Sequence, residues 1–142
     1  MKTKSPKASK KFATSQPDIA GIRTGIPNDL LIAAIGASAG GLEAGIELVR
    51  NLDPAAGVAY VFIQHLDPTH SSIMKDLLAK ETSMPVTEVK DNTKVAPNHV
   101  YVIPPNALMT IDDHSLRLSP REVSRGGHMP IDHFMRALAE HF

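Results

Sequence analysis

The stretch from Leu30 to Gln64 constrains the fold more than any other part of the sequence. Leu30-Leu31-Ile32-Ala33-Ala34-Ile35 is a continuous apolar run closed by Gly36, the pattern of a strand buried on both faces of a parallel sheet. After Gly40-Gly41, the residues Leu42, Ile46 and Val49 recur at helical spacing, interleaved with Glu43, Glu47 and Arg50. That describes an amphipathic crossover helix. A second buried-strand signature, Val58-Ala59-Tyr60-Val61-Phe62-Ile63, is rich in β-branched and aromatic residues and ends at Gln64-His65. Parallel strands joined by a helix make a βαβ unit with a right-handed crossover.

The rest of the chain extends this pattern. Ser71 or Ser72 is placed to cap a helix running through Lys80, with Ile73, Leu77 and Leu78 on one face and Lys75, Asp76 and Lys80 opposite. Pro85 ends it, and Val86 to Val89 begins another short strand. Val100-Tyr101-Val102-Ile103 and Ser115-Leu116-Arg117-Leu118 lie around turn-forming Asn106 and Asp112-Asp113, and they read as a β-hairpin or short paired strands. Pro130 opens a last helix with Ile131, Phe134, Met135 and Leu138 on one stripe. The expected fold is α/β: a doubly wound, mostly parallel, Rossmann-like sheet with a β-hairpin. No strand follows the last helix to cover its stripe, so the domain reads as truncated at its C-terminus. Residues 1–28 are rich in Lys, Ser, Thr, Pro and Gly without a periodic apolar face. They read as a disordered or loosely attached tail before a partial domain over 29–142.

Charge and cysteine content narrow the function classes. The 15 Lys and Arg residues balance the 15 Asp and Glu residues, so no global field favours nucleic acid or an anionic membrane. There is no cysteine, which excludes a disulfide framework, a thiolate metal site and a cysteine nucleophile. The longest apolar run falls far short of the roughly 20 residues a membrane helix needs, so membrane insertion is not expected. The N-terminus has no apolar segment of the secretory type, and a cytoplasmic location is expected.

Gly36-Ala37-Ser38-Ala39-Gly40 satisfies the G-x-S-x-G pattern between a buried strand and a helix, the context in which such a serine acts as a nucleophile. Flanking glycines permit a tight turn, and the N–H groups that open the helix can stabilise an oxyanion. The same glycines could simply shape a strand-to-helix turn or cradle a phosphate. The dinucleotide fingerprint G-x-G-x-x-G is absent, and no cofactor site is expected. A serine hydroxyl needs a base within hydrogen-bond reach. His65 ends the second strand, and carboxyl ends of neighbouring parallel strands share one edge, so His65 can face Ser38. His70, His99, His114, His133 and His141 read as surface or loop positions, and His128 has no clear reading. No metal-ligand spacing emerges, and no metal site is expected.

Three ordered stretches resemble the catalytic domain of the CheB-type chemotaxis receptor protein-glutamate methylesterases. They are Ile35 to Gly41, Phe62-Ile63-Gln64-His65, and Asn98-His99-Val100-Tyr101-Val102-Ile103-Pro104-Pro105. The resemblance runs from about Leu31 to Phe142. It implies a serine ester hydrolase in which Ser38 is the nucleophile and His65 the base. A backbone N–H near Ala39 would hold the oxyanion. The implied substrate is a glutamate γ-methyl ester on a methyl-accepting chemoreceptor, within phosphorelay-controlled chemotaxis signalling. Receptor methyltransferase or sensor modules are possible fusion partners. The implied triad aspartate lies in a glycine-rich segment beyond Phe142, and Asp112, Asp113 and Asp132 have simpler readings as turn or helix-start residues. Without that acid a histidine base loses on the order of 10⁴ in rate, so the 142-residue chain is expected to be weak or inactive. The tail is too short for the phosphoacceptor receiver domain that often precedes this catalytic domain. Many relatives carry threonine where Ala39 stands, a difference that leaves the backbone donor intact. The alternatives are a non-catalytic receptor- or partner-binding module of the same fold and a phosphate or nucleotide binder.

Overall fold

The protein is described here from a computed structural model, which covers residues 30–38, 40–64, 73–121 and 129–142. Strands β1 (Leu31–Ala37), β2 (Val58–Gln64), β3 (Val86–Glu88) and β5 (His99–Val102) form a parallel sheet in the order β1-β2-β5-β3. Strands β4 (Thr93–Lys94), β6 (Ala107–Asp112) and β7 (Ser115–Pro120) form an antiparallel sheet in the order β4-β7-β6. The helices are α1 (Gly41–Arg50), α2 (Met74–Ala79) and α3 (Pro130–His141).

The order follows from handedness. Passing from β1 to β2 and from β2 to β3 moves the same way across the sheet, so right-handed crossovers put α1 and α2 on one face. There Val49 of α1 and Met74 and Leu78 of α2 pack with Tyr60, Phe62, Val100 and Val102. The return from β3 to β5 must use the other face, which β4, the hairpin β6–β7 and α3 cover. Ala59, Val61, Ile63, Tyr101 and Ile103 meet Met109, Ile111, Leu116 and Phe134 on that side. Burial of both faces explains why β2 and β5 are apolar without alternation.

Three expectations change. Val100-Tyr101-Val102-Ile103 pairs with neither β6 nor β7: Val100 to Val102 is the buried part of β5, flanked by β2 and β3. The hairpin partner of β7 is β6, with Met109 opposite Leu118 and Ile111 opposite Leu116. Its turn lies where expected, with Asp113 (φ 42°) and His114 (φ 60°) both left-handed, as a two-residue primed turn requires. In α2 the buried pair is Met74 and Leu78, while Ile73 stays 60% exposed; Ser71 and Ser72 lie outside the described residues. The apolar stripe of α3 does have a surface to cover, because Phe134 is fully buried and Ile131 and Leu138 pack on the same cluster. The proposed tail over 1–28 lies outside the described residues.

Local devices fix the start of β5. Asn98 is left-handed (φ 59°), a conformation its short polar side chain tolerates. Its Oδ1 accepts the Gly57 N–H at 2.6 Å, and its own N–H donates to Val58 O at 2.8 Å. The amino ends of β2 and β5 are thereby stitched together. Three residues after Asn98, the Tyr101 hydroxyl accepts the Ala96 N–H at 2.9 Å and donates to Lys94 O at 3.3 Å. Burial raises its pKa.

Candidate active site

Ser38 follows the last residue of β1 and is exposed. Its carbonyl accepts the Gly41 N–H at 2.8 Å, closing the turn that converts strand into helix. Gly40 has φ 92° and ψ −12°, the third-position geometry of a type II turn, which favours glycine. Among the described residues of this turn the left-handed one is Gly40, and the described non-glycine residues of positive φ are Asn92, Asn98, Asn106, Asp113 and His114. Ser38 is presented by a glycine turn.

Packing explains the neighbouring glycines. A Cβ on Gly41 would stand 2.6 Å from the Ala37 Cβ, so the first turn of α1 lies directly on the end of β1. A Cβ on Gly36 would stand 2.6 Å from Ile131 Cγ2 of α3 on the opposite face. Further along α1, Gly45 lets the helix approach the Phe62 ring. A groove of about 290 Å³ runs from Ser38 along α1, lined by Ile35, Ala37, Gly41, Gly45 and Leu48. A larger groove of about 670 Å³ lies at the other edge, between Leu30, Gly57, Lys94 and His114. In an open α/β sheet, chemistry sits at the carboxyl ends of the strands, which favours the smaller groove.

Gly41→Ala is accordingly expected to lift α1 off Ala37. The Ala37 Cβ is fixed to a strand and cannot swing aside, so a stability loss of about 1–3 kcal/mol is expected by urea titration. Gly36→Ala is expected to cost a similar amount, because the atom in the way is Ile131 Cγ2, carried on the β-carbon of a helical isoleucine whose χ1 is stiff. A loss below about 0.5 kcal/mol in either variant would contradict this packing.

The β1–β2 register pairs Gly36 with Ile63 and Ala37 with Gln64. The next residues along the two strands are Ser38 and His65. His65 itself, Ala39, His70 and His128 lie outside the described residues. The other histidines have structural settings: His99 stacks on Tyr101 with ring centroids 5.7 Å apart, and His141 Nε2 is 3.3 Å from Asp112 Oδ1. His114 meets the Phe142 ring edge-on, and His133 is exposed. Among the described residues, no group of three or more His, Cys, Asp or Glu side chains is placed to hold a metal.

The three aspartates separate by position. Asp112 and Asp113 belong to the hairpin turn, and Asp113 lines the groove with Leu30 at the amino end of the sheet. They are on the edge opposite Ser38. Asp132 sits in the first turn of α3, one residue after the Ile131 that touches Gly36, and so shares the carboxyl edge with Ser38. Sequence pattern alone did not reveal that neighbourhood. The one signal for it is Pro130, which fixes where α3 begins.

Among the described residues, no helix is long and apolar enough to cross a membrane. The family model described as CheB methylesterase matches residues 33–142. An uncharacterised 104.1 kDa protein of Rhodobacter capsulatus is 41% identical over 69 residues, covering 49% of this chain and 7% of that protein. A protein-glutamate methylesterase/protein-glutamine glutaminase of Pseudomonas aeruginosa is 32% identical over 113 residues, covering 76% of this chain and 32% of that protein. The chain therefore spans less than a third of the length of these curated relatives. The crystal structure of the Thermotoga maritima CheB methylesterase catalytic domain superposes with a TM-score of 0.67 at 21% identity, covering 80% of this chain and 62% of that one. At that identity the likeness concerns the fold: a mostly parallel α/β sheet with a separate antiparallel hairpin sheet. With 33–142 matched by its family model, the chain belongs to the CheB methylesterase family.

Proposed function

We propose that this chain carries the nucleophile of a protein-glutamate methylesterase that removes γ-methyl esters from chemoreceptor glutamates in the cytoplasm. The observation that carries this reading is the exposed Ser38 at the carboxyl end of β1. Its predecessor Ala37 pairs with Gln64, and the amino end of α1 begins three residues later. His65, next after Gln64, is the base in this reading. The names of relatives such as the Pseudomonas aeruginosa protein support ester and amide hydrolysis as the chemistry.

In the proposed reaction the Ser38 Oγ attacks the ester carbonyl while His65 takes its proton. The carbonyl electrons move onto oxygen, where the Ala39 N–H stabilises them. Collapse of that intermediate expels methoxide, which takes the proton from His65 and leaves as methanol. Water then adds to the acyl-enzyme by the same route and frees the glutamate. The apolar walls of the groove suit the methyl of the ester better than a charged carboxylate.

A nucleotide-binding role for the glycine turn is the weaker reading. The Gly41 N–H is already taken by Ser38 O, and Glu43 occupies the first turn of α1. An acidic residue there already satisfies the helix dipole and repels phosphate. A fluorophosphonate probe with mass spectrometry tests the esterase reading, because labelling requires an activated hydroxyl. A single adduct on Ser38, absent in Ser38→Ala, is the expected result. A folded sample without an adduct would overturn it.

A further inference from the structure

The end of β1 is held from both faces of the sheet. Successive strand residues face opposite sides: Ala33 and Ile35 join the cluster under α1 and α2, whereas Ile32 and Ala34 join the one under α3. Gly36 continues the second row, and the Ile131 Cγ2 lies 2.6 Å from where its Cβ would stand. Ala37 continues the first row, its own Cβ 2.6 Å from where a Cβ on Gly41 of α1 would stand. Among the described glycines, Gly36 and Gly41 are the two whose Cβ would meet an atom closer than 3.0 Å. Both close approaches fall on the two residues immediately before Ser38.

The two contacts differ in what they can fix. Gly41 closes the same turn as Ser38, whose carbonyl accepts its N–H at 2.8 Å, so that contact shapes the turn but moves with it. Ile131 is distant in sequence and belongs to α3, whose Phe134 and Leu138 are anchored in the cluster with Ile63 and Met109. Its Cγ2 is carried on the β-carbon, and a β-branched residue in a helix has one strongly preferred χ1. The methyl is therefore a rigid stop on an independent footing. Ile131 does not line the groove at Ser38, so its action there is through β1.

We propose that Ile131 is a positioning residue for Ser38: its Cγ2 methyl, resting on Gly36, sets how closely the end of β1 approaches α3 and so the height at which the turn presents the hydroxyl. This role rests on the reading of Ser38 as the nucleophile. Gly36 and Ala37 are both strand residues, paired with Ile63 and Gln64, so a shift of the strand end is carried to the serine without a loop to absorb it. A displacement of about 1 Å at a reacting group can cost on the order of 10²-fold in rate. The absence of a side chain at 36 and the branch at 131 are two halves of one spacing device.

Ile131→Leu tests this, because leucine keeps the same atoms but moves the branch one carbon outward and leaves no methyl in the place of Cγ2. Cores tolerate such a swap, and the urea midpoint is expected to stay near that of the unsubstituted chain. The fluorophosphonate labelling rate of Ser38 and kcat on a small glutamyl methyl ester are expected to fall about tenfold or more, with KM unchanged. Gly36→Ala is expected to slow the unsubstituted chain but to speed Ile131→Leu by about threefold or more, because the new Cβ fills the place that Cγ2 vacates. A general loss of stability would not reverse sign in this way. Labelling of Ile131→Leu at the full rate overturns the proposal, as does a double variant slower than either single one, or a raised KM with kcat unchanged. A folded chain whose Ser38 takes up no label at all overturns the nucleophile reading itself, and the role of Ile131 with it.

Discussion

Ser38→Ala is expected to reduce hydrolysis of a glutamyl methyl ester, and the labelling rate with fluorophosphonate, by on the order of 10³–10⁶. The size follows from the chemistry. An alanine methyl cannot form the acyl-enzyme, and what remains is the effect of binding and of oxyanion donors on attack by water. His65→Ala is expected to fall nearly as far, because an unassisted serine hydroxyl at neutral pH is almost entirely protonated. Nucleophile and base act as a unit, so the double variant should be no slower than the slower single one. Methanol release under saturating ester and the second-order labelling rate are the two measurements. Losses that multiply in the double variant would mean that Ser38 and His65 do not act on one proton, and the proposed assignment would fail.

Phe134→Ala carries the largest expected loss of stability. Phe134 is fully buried in the cluster that joins β2, the hairpin and α3. Removing a buried phenyl ring sacrifices its transfer energy and leaves a cavity, together about 3–5 kcal/mol. Domains of this size are stable by only about 5–15 kcal/mol, so the variant should be near the limit of folding at room temperature. Its effect should also reach the site. Ile131, three residues earlier on the same helix, fills the space beside Gly36, and β1 loses that support when α3 detaches. Urea unfolding followed by far-UV circular dichroism gives the number, and a loss below about 1 kcal/mol would show that α3 is not part of the cooperative core. A partly exposed stripe residue such as Met135 should matter less when cut to alanine.

Much of this was legible in the residues. The runs Leu30 to Ile35 and Val58 to Ile63 are apolar without alternation, which suits strands covered on both faces, and both became strands of the parallel sheet. The helix between them was readable because Leu42, Ile46 and Val49 recur at the helical period. Asp112-Asp113 marked the hairpin turn, although only the second of the pair, with His114, takes the left-handed conformation.

Other features depend on contacts distant in sequence. A short apolar run such as Val100 to Val102 has the same local pattern whether it joins a hairpin or sits between two parallel strands. Its neighbours β2 and β3 decide, through register set about 40 and 14 residues away. In α2, Ile73 and Met74 are similarly apolar, and the packing of the helix against Tyr60 and Val100 determines which one is buried. The same division holds at the site. By itself the sequence determined that a serine in a glycine turn links an apolar strand to an amphipathic helix, because periodicity and turn chemistry are local properties. Only the tertiary structure decided that this turn ends beside Gln64, that Ile131 backs it from the far face, and that among the described strands β1 pairs with β2. Those outcomes rest on strand order and helix placement, which are set by burying two faces of one sheet at once.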